Sequence, residues 1–319
     1  MQDLLSMPPS PQMAVSVVVP VYRGAATLGE LVERLVQVLE APCEIILVND
    51  ASPDESWSVI RALVAQYDCV RGIDLMKNSG QHNALLCGVR AARNDVIVTM
   101  DDDLQHPPEL IPDLIAKLEE GYDLVYCVAV EEPRGWLRNF MSKTVKRVVL
   151  HYVSGQDTQI SSFRAFRTSL RRAFEQVNHP SVFLDLMLSW GARRIGEVRL
   201  PHDERHVGES SYTLRRLIRH AMNMLTSYSV LPLHLASWLG FVITGFGLLV
   251  LAATLVNFLV YGRVVPGFTF LSSILAIFSG TQLFSIGILG LYLARMYEGM
   301  MAKPPYVVRE EIGADDRTA

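Results

Sequence analysis

Asp101, Asp102 and Asp103 stand side by side directly after an apolar run at residues 96–100, and Leu104-Gln105-His106-Pro107-Pro108-Glu109 follows them. Carboxylate and amide oxygens are the ligands that hard divalent cations such as Mg²⁺ or Mn²⁺ take. On an extended segment Asp101, Asp103 and Gln105 alternate to one side, an arrangement suited to a cation that holds a diphosphate. The same aspartates could instead cap a helix opened by Pro107 and Pro108. The position of the other polar motifs decides between a cap and a site.

Those motifs are positioned by a regular alternation. Short β-branched runs at 15–20, 44–48, 70–75 and 96–100 read as strands, and helical spacing of apolar residues at 28–39, 56–66 and 81–92 reads as the helices between them. The pattern is that of an α/β domain with a parallel sheet wrapped by helices. Ligands of such sheets bind beyond the carboxyl ends of the strands. Pro20-Val21-Tyr22, Asp50, Lys77-Asn78-Ser79-Gly80 and residues 101–105 all fall at such ends, so four motifs converge on one crevice.

The far end of the chain has a different character. Residues 228–294 hold one charged residue, Arg263, and divide into apolar blocks at 236–260 and 268–294. A membrane span needs roughly 20 residues at about 1.5 Å rise, so each block is long enough to cross a bilayer. The turn at 261–267, with Gly262, Pro266 and Gly267, makes the pair a helical hairpin. Two helices of a soluble core are the competing explanation, and adjacent spans with so little charge disfavour it. Arg215, Arg216 and Arg219 precede the first block, and Arg295, Lys303 and Arg309 follow the second. With Arg263 alone between them, both termini are expected in the cytoplasm of a multi-pass inner-membrane protein.

The chain has 319 residues, half of them hydrophobic, and a net charge of -4, a balance that argues against a nucleic-acid partner. Cys43, Cys69, Cys87 and Cys127 are scattered singly among apolar neighbours and read as reduced core residues. Residues 1–13 read as a short flexible tail without a secretory leader.

Val17-Val18-Val19-Pro20-Val21-Tyr22, the segment from Leu47 to Asp54, Gly80-Gln81-His82-Asn83-Ala84 and the segment from Asp101 to Glu109 resemble family 2 glycosyltransferases of the GT-A fold. With the string from His202 to Tyr212 and the paired spans, the chain is similar to the polyprenyl-phosphate glycosyltransferases, nearest to those that transfer 4-deoxy-4-formamido-L-arabinose. The resemblance runs from about Ala14 to Val308. It implies a Rossmann-like GT-A domain in which Pro20 and Tyr22 line the nucleotide pocket and Asp50 contacts base or ribose, with Lys77 and Asn78 beside them. Asp101 would stand by the nucleotide and phosphate as a catalytic carboxylate, and Asp103 and Gln105 would ligate Mg²⁺ or Mn²⁺. Asp102, where the family carries a small residue, would face solvent or the neighbours of the nucleotide. Two departures stand out: Arg23-Gly24 replaces the family's Asn-Glu, removing a carboxylate that would bind ribose, and Ser211 replaces a Lys. The family also implies a homotetramer.

The chemistry expected is transfer of a sugar from a nucleotide donor, a UDP-sugar, to undecaprenyl phosphate at the lipid bilayer. The leaving diphosphate needs a divalent cation and Arg donors, whereas a lipid phosphate is already an anion and needs no strong base. Asp157 resembles the family's carboxylate ahead of an aromatic-Arg motif, which implies a catalytic or acceptor-side role, and a turn-forming Asp after Gly155 explains it equally. Arg164 and Arg205 are candidate phosphate clamps, since a guanidinium fork matches phosphate oxygens; His202, Ser210 and Tyr212 belong to the same acceptor-side set. The domain layout is a tail (1–13), a GT-A domain (14–211), a juxtamembrane amphipathic helix (212–234), a transmembrane hairpin (235–295) and a cytoplasmic C-terminal tail (296–319). A second interfacial helix is expected where Arg134, Arg138, Lys143, Lys146 and Arg147 interleave with apolar residues. Glucose, mannose and amino-arabinose donors all remain open. A processive polysaccharide synthase would need more spans and a Gln-x-x-Arg-Trp motif, and a non-enzymatic membrane-anchored nucleotide-binding module would bind donor without consuming it.

Overall fold

The computed structural model describes residues 13–39, 42–129, 160–179, 182–200, 231–262, 267–301 and 303–313. They belong to two compact units, one made of Met1–Trp136, Gln156–Val207 and Ala302–Ala319, the other of Leu137–Gly155 and Gly208–Met301. The expected interfacial helix over 134–147 and residues 212–230 of the expected juxtamembrane helix (212–234) lie outside the described residues.

The first unit is built on a mixed sheet. β1 (Val15–Val21), β2 (Cys43–Asn49), β3 (Val70–Leu75) and β4 (Val96–Thr99) are parallel, in spatial order β4-β1-β2-β3. β5 (Leu124–Ala129), β6 (Arg164–Arg167) and β7 (Ile195–Leu200) continue the sheet beyond β4 in the order β7-β5-β6, with β6 antiparallel to β4 and β5. β8 (Val308–Ile312) closes the opposite edge, antiparallel to β3. The strands expected at 15–20, 44–48, 70–75 and 96–100, and the helices at 28–39, 56–66 and 81–92, are present to within a residue at each end.

Side chains that alternate along the central strands divide the core into two faces. Val17, Val19, Ile45, Leu47 and Val98 pack under α1 (Leu28–Val38), α2 (Ser56–Gln66) and α4 (Ile111–Glu119). Val18, Ile46, Val48 and Ile97 pack under α3 (Gln81–Ala91) and α5 (Leu184–Gly191). Burial on both faces explains why these strands are continuous β-branched runs. On α3, Gly88 is required for the close approach: a Cβ there would stand 2.3 Å from Val18 Cγ1.

β8 lies within residues 296–319, the expected C-terminal tail, and pairs with β3. Its five residues, Val-Arg-Glu-Glu-Ile, carry little apolar signal of their own. They are held by the β3 ladder and by ion pairs of Glu310 with Arg61, Glu311 with Arg71, and Arg309 with Asp74.

The second unit contains α6 (Leu231–Tyr261) and α7 (Phe268–Met300). Within them Pro232–Val260 and Ile277–Met300 are long and apolar enough to cross a membrane, and these windows are not buried by protein. Helices this apolar all round and this exposed call for an apolar solvent, and they match the hairpin expected at 236–260 and 268–294. They approach closely where Gly247 faces Phe278, whose ring would be 2.4 Å from an added Cβ.

Candidate active site

Beyond the carboxyl ends of the paired strands β1 and β4 the sheet leaves a gap. β2 and β3 lie on one side of β1 and β4 on the other, so the strand order reverses between β1 and β4, the switch point at which open α/β sheets bind ligands. Val18 accepts a bond from the Met100 N–H at 3.3 Å. Pro20, two residues on, faces the same way, where β4 has already ended at Thr99. A residue without an N–H therefore costs no ladder bond here.

Three loops meet at that gap. After β1, Tyr22 and Arg23 turn the chain, with Arg23 at φ 62°, and Gly24 accepts the first bonds of α1 from Thr27 and Leu28 at 3.0 and 3.2 Å. After β2, the Asp50 carboxylate receives the Ser79 and Gly80 N–H groups at 2.6 and 2.8 Å, which fixes the 77–80 loop ahead of α3. Burial raises the Asp50 pKa and those two donors oppose the rise. After β4, Asp101 accepts from Gln81 Nε2 and Ser162 Oγ, both at 2.6 Å. Residues in the left-handed region occur at each of these strand ends: Arg23, Ala51 at φ 50° and Leu104 at φ 58°. Such conformations cost free energy and concentrate at functional sites.

Together the loops enclose a crevice of about 440 Å³ lined by Pro20, Val21, Tyr22, Asp50, Asn78, Gly80, Gln81, Asp101, Asp102 and Asp103. Asp102 accepts the Tyr22 N–H at 3.4 Å, and burial, with added repulsion from Asp101 and Asp103, pushes its pKa up to about 6. Its Oδ2 occupies the space above Gly24, 2.2 Å from where a Cβ would stand. The space at position 24 is thus taken up by the carboxylate of Asp102.

Seven expected site residues meet in this crevice: Pro20, Tyr22, Asp50, Asn78, Asp101, Asp102 and Asp103. Lys77 and Gln105 are not among its lining residues. The extended 101–105 segment is corrected, because Leu104 turns the chain through the left-handed region and Asp103 Oδ1 accepts the Gln105 N–H at 3.1 Å. Strict alternation of Asp101, Asp103 and Gln105 therefore does not hold. Arg164 is also corrected. It is 1% exposed, donates from Nε to Thr99 Oγ1 at 3.0 Å and pairs with buried Asp185, which also accepts the Tyr126 hydroxyl at 3.3 Å. Burial lowers its pKa against the attraction of Tyr126 and Asp101. Its guanidinium is a core ion pair behind Asp101 and not a clamp open to a phosphate. Asp157, His202, Arg205, Ser210 and Tyr212 lie outside the described residues.

Val21 and Gly80 line the crevice as parts of the strand-end motifs expected there, and the residues given no site role by the sequence are Gln81 in the lining and Ser162 beneath Asp101. Gln81 carried a signal, as the first residue of a helix opened by a glycine at a strand-end loop, with Gly80 at φ 91°.

The family profile described as "Glycosyl transferase family 2" matches residues 16–180. The undecaprenyl-phosphate 4-deoxy-4-formamido-L-arabinose transferase of Shewanella sediminis (strain HAW-EB3) is 37% identical over 303 residues, covering 93% of this chain and 92% of that protein. The enzyme of the same name from Proteus mirabilis (strain HI4320) is 34% identical over 306 residues, covering 94% of each. Among solved structures, glucosyl-3-phosphoglycerate synthase from Mycobacterium tuberculosis, in complex with Mn²⁺, UDP and phosphoglyceric acid, superposes with a TM-score of 0.47 at 20% identity, covering 67% of this chain and 76% of that one. The family match spans more than half of the sequence and the curated relatives align along nearly all of it; this chain belongs to glycosyl transferase family 2.

Proposed function

We propose that the protein transfers a sugar from a nucleoside-diphosphate donor, a UDP-sugar, to undecaprenyl phosphate at the cytoplasmic face of the membrane. The observation that carries this reading is a carboxylate-lined crevice at the switch point of a family 2 sheet, in a chain that also holds an apolar two-helix hairpin. The shared name of the relatives supports the lipid acceptor and makes 4-deoxy-4-formamido-L-arabinose the first sugar to try, with hexoses such as glucose next. The product would be a polyprenyl-monophosphate sugar for envelope glycan or lipid A modification.

The donor set fits a hard divalent cation. Among the described residues four aspartates line the crevice and no lysine or arginine does, so a diphosphate would be repelled by that lining without one. Among the described residues no group of three or more His, Cys, Asp or Glu side chains is gathered for a metal. Asp103, with Gln105 beside it, would hold Mg²⁺ or Mn²⁺, and donor phosphates and water would complete the ligands, as is usual for Mg²⁺. Bound there, the cation supplies charge neutralisation for the departing nucleoside diphosphate.

The remaining work falls to the protein. Tyr22, 46% exposed, offers an aromatic face at the rim for the base. Asp50 holds the 77–80 loop, and Gln81 and Ser162 fix the orientation of Asp101. The acceptor phosphate oxygen attacks the anomeric carbon as the bond to the diphosphate breaks. This single displacement inverts the configuration and needs no strong base. Asp157, Arg205, His202, Ser210 and Tyr212 belong to the acceptor side of this proposal.

The chain path supports the orientation. β1 to β7 precede both hairpin helices and β8 follows them, yet all eight described strands share one sheet. A soluble sheet lies on one side of a bilayer, so the intervening chain crosses it an even number of times, and basic flanks favour the cytoplasm.

The test is donor consumption by detergent-purified protein with Mg²⁺ or Mn²⁺ and undecaprenyl phosphate, across UDP- and GDP-sugars, with chromatography of the lipid product. One donor yielding a lipid monophosphate sugar of inverted configuration is expected. Nucleotide binding without turnover of any donor in the panel would overturn the transferase reading.

A further inference from the structure

One side chain of β8 is linked by hydrogen bonds to the loops that line the crevice. Arg309 forks its guanidinium, Nη1 to Asp74 Oδ2 at 3.2 Å and Nη2 to the Met76 carbonyl at 3.1 Å. Each branch leads to a different crevice loop. Asp74 is buried, and its other oxygen accepts from Asn49 Nδ2 at 2.7 Å. A carboxylate only accepts, so the Asn49 amide must present its NH₂ to Asp74 and its oxygen to the Ser52 N–H, at 3.3 Å. Ser52 Oγ in turn accepts the Arg23 N–H at 3.1 Å and donates to the Val21 carbonyl at 3.4 Å, at the turn that carries Tyr22. The second branch fixes Met76, whose N–H also donates to the Val307 carbonyl at 2.9 Å. Met76 leads into the 77–80 loop whose N–H groups grip Asp50.

We propose that Arg309 is a positioning residue for the nucleotide crevice, its planar fork setting the 22–23 turn through Asp74, Asn49 and Ser52 and the 77–80 loop through Met76. The inference rests on reading the crevice as the nucleotide site. Two observations separate it from ordinary strand pairing. The neighbouring Glu310 pairs with Arg61 on α2, away from both loops. The fork also requires two acceptors at fixed separation, which a guanidinium meets and a single ammonium does not.

The test uses full-length protein in detergent, with UDP and Mg²⁺ as the probe, calorimetry for affinity and steady-state kinetics with the active donor. Arg309→Met should weaken UDP binding about tenfold and raise the donor KM in parallel, with kcat changed less than about twofold. Arg309→Lys should recover only part of the loss, and Glu310→Gln should bind UDP like the wild type. Ser52→Ala cuts the relay without touching β8; it should weaken UDP binding, and combining it with Arg309→Met should add less than the sum of the two. Unchanged UDP affinity in Arg309→Met, an equal loss in Glu310→Gln, or strict additivity would each overturn the inference while leaving the nucleotide site in place. A wild type that binds neither UDP nor GDP would overturn both.

Discussion

Gly24 lacks a side chain where the carboxylate of Asp102 takes up the room. Because that carboxylate is the tip of a short side chain, an added methyl should displace it without breaking the core. Gly24→Ala is therefore expected to lose the Tyr22 contact and weaken nucleotide binding several-fold, while stability falls by no more than about 1 kcal/mol. Calorimetry and thermal melting of the same sample separate the two effects, and a variant that melts early with normal affinity would contradict the expectation. His82 belongs to the layer behind the crevice, its ring 4.5 Å from that of Phe183. Burial and the Arg164 charge hold its pKa down at about 4, against 6.5 for an unperturbed histidine. The unfolded chain takes up this proton first as the pH falls, so the stability is full above pH 6.5 and is lost between 6.5 and about 4, on the order of 3 kcal/mol. Melting temperatures from about pH 7.5 to about 4.5 should drop less steeply in His82→Gln; parallel curves would assign the acid sensitivity elsewhere.

At the scale of elements, α3 is seated closely on β1 and β2 through Gly88. Gly88 faces Val18 and Val48, both fully buried and β-branched, so Gly88→Ala meets side chains that cannot swing aside. A loss of about 2–3 kcal/mol is expected, read as a lowered melting temperature; a wild-type value would mean that α3 lifts freely. The same buried packing made β1 to β4 and α1 to α3 legible, because strands covered on both faces must be β-branched throughout. β6 was not legible: its four residues, Arg-Ala-Phe-Arg, look like a charged surface segment until Asp185, on α5, is placed beside Arg164. That pairing is tertiary, and it turned an expected phosphate clamp into a core ion pair. The acidic cluster was legible in its position and not in its shape, because nothing in Asp101 to Gln105 announces the left-handed turn at Leu104. The crevice was therefore anticipated from where the strands end, and its internal bonds were not.

For the whole molecule, the last strand decides how the first unit ends. A chain stopped after residue 302 would keep α6 and α7 and lose β8, leaving the β3 edge unpaired and Arg71 without Glu311. Such a protein should still partition into membranes, yet bind UDP at least about tenfold more weakly and aggregate more readily through the open edge; membrane flotation and nucleotide titration measure the two. Full affinity in the truncated chain would make β8 dispensable. The order of the segments also sets a timetable. A ribosome delivers the chain from β1 to β8, so the sheet waits for its eighth strand while both apolar helices are made. β8 can therefore pair with β3 only after both apolar helices have left the ribosome, and the β3 side of the crevice is the last part of the sheet to be completed.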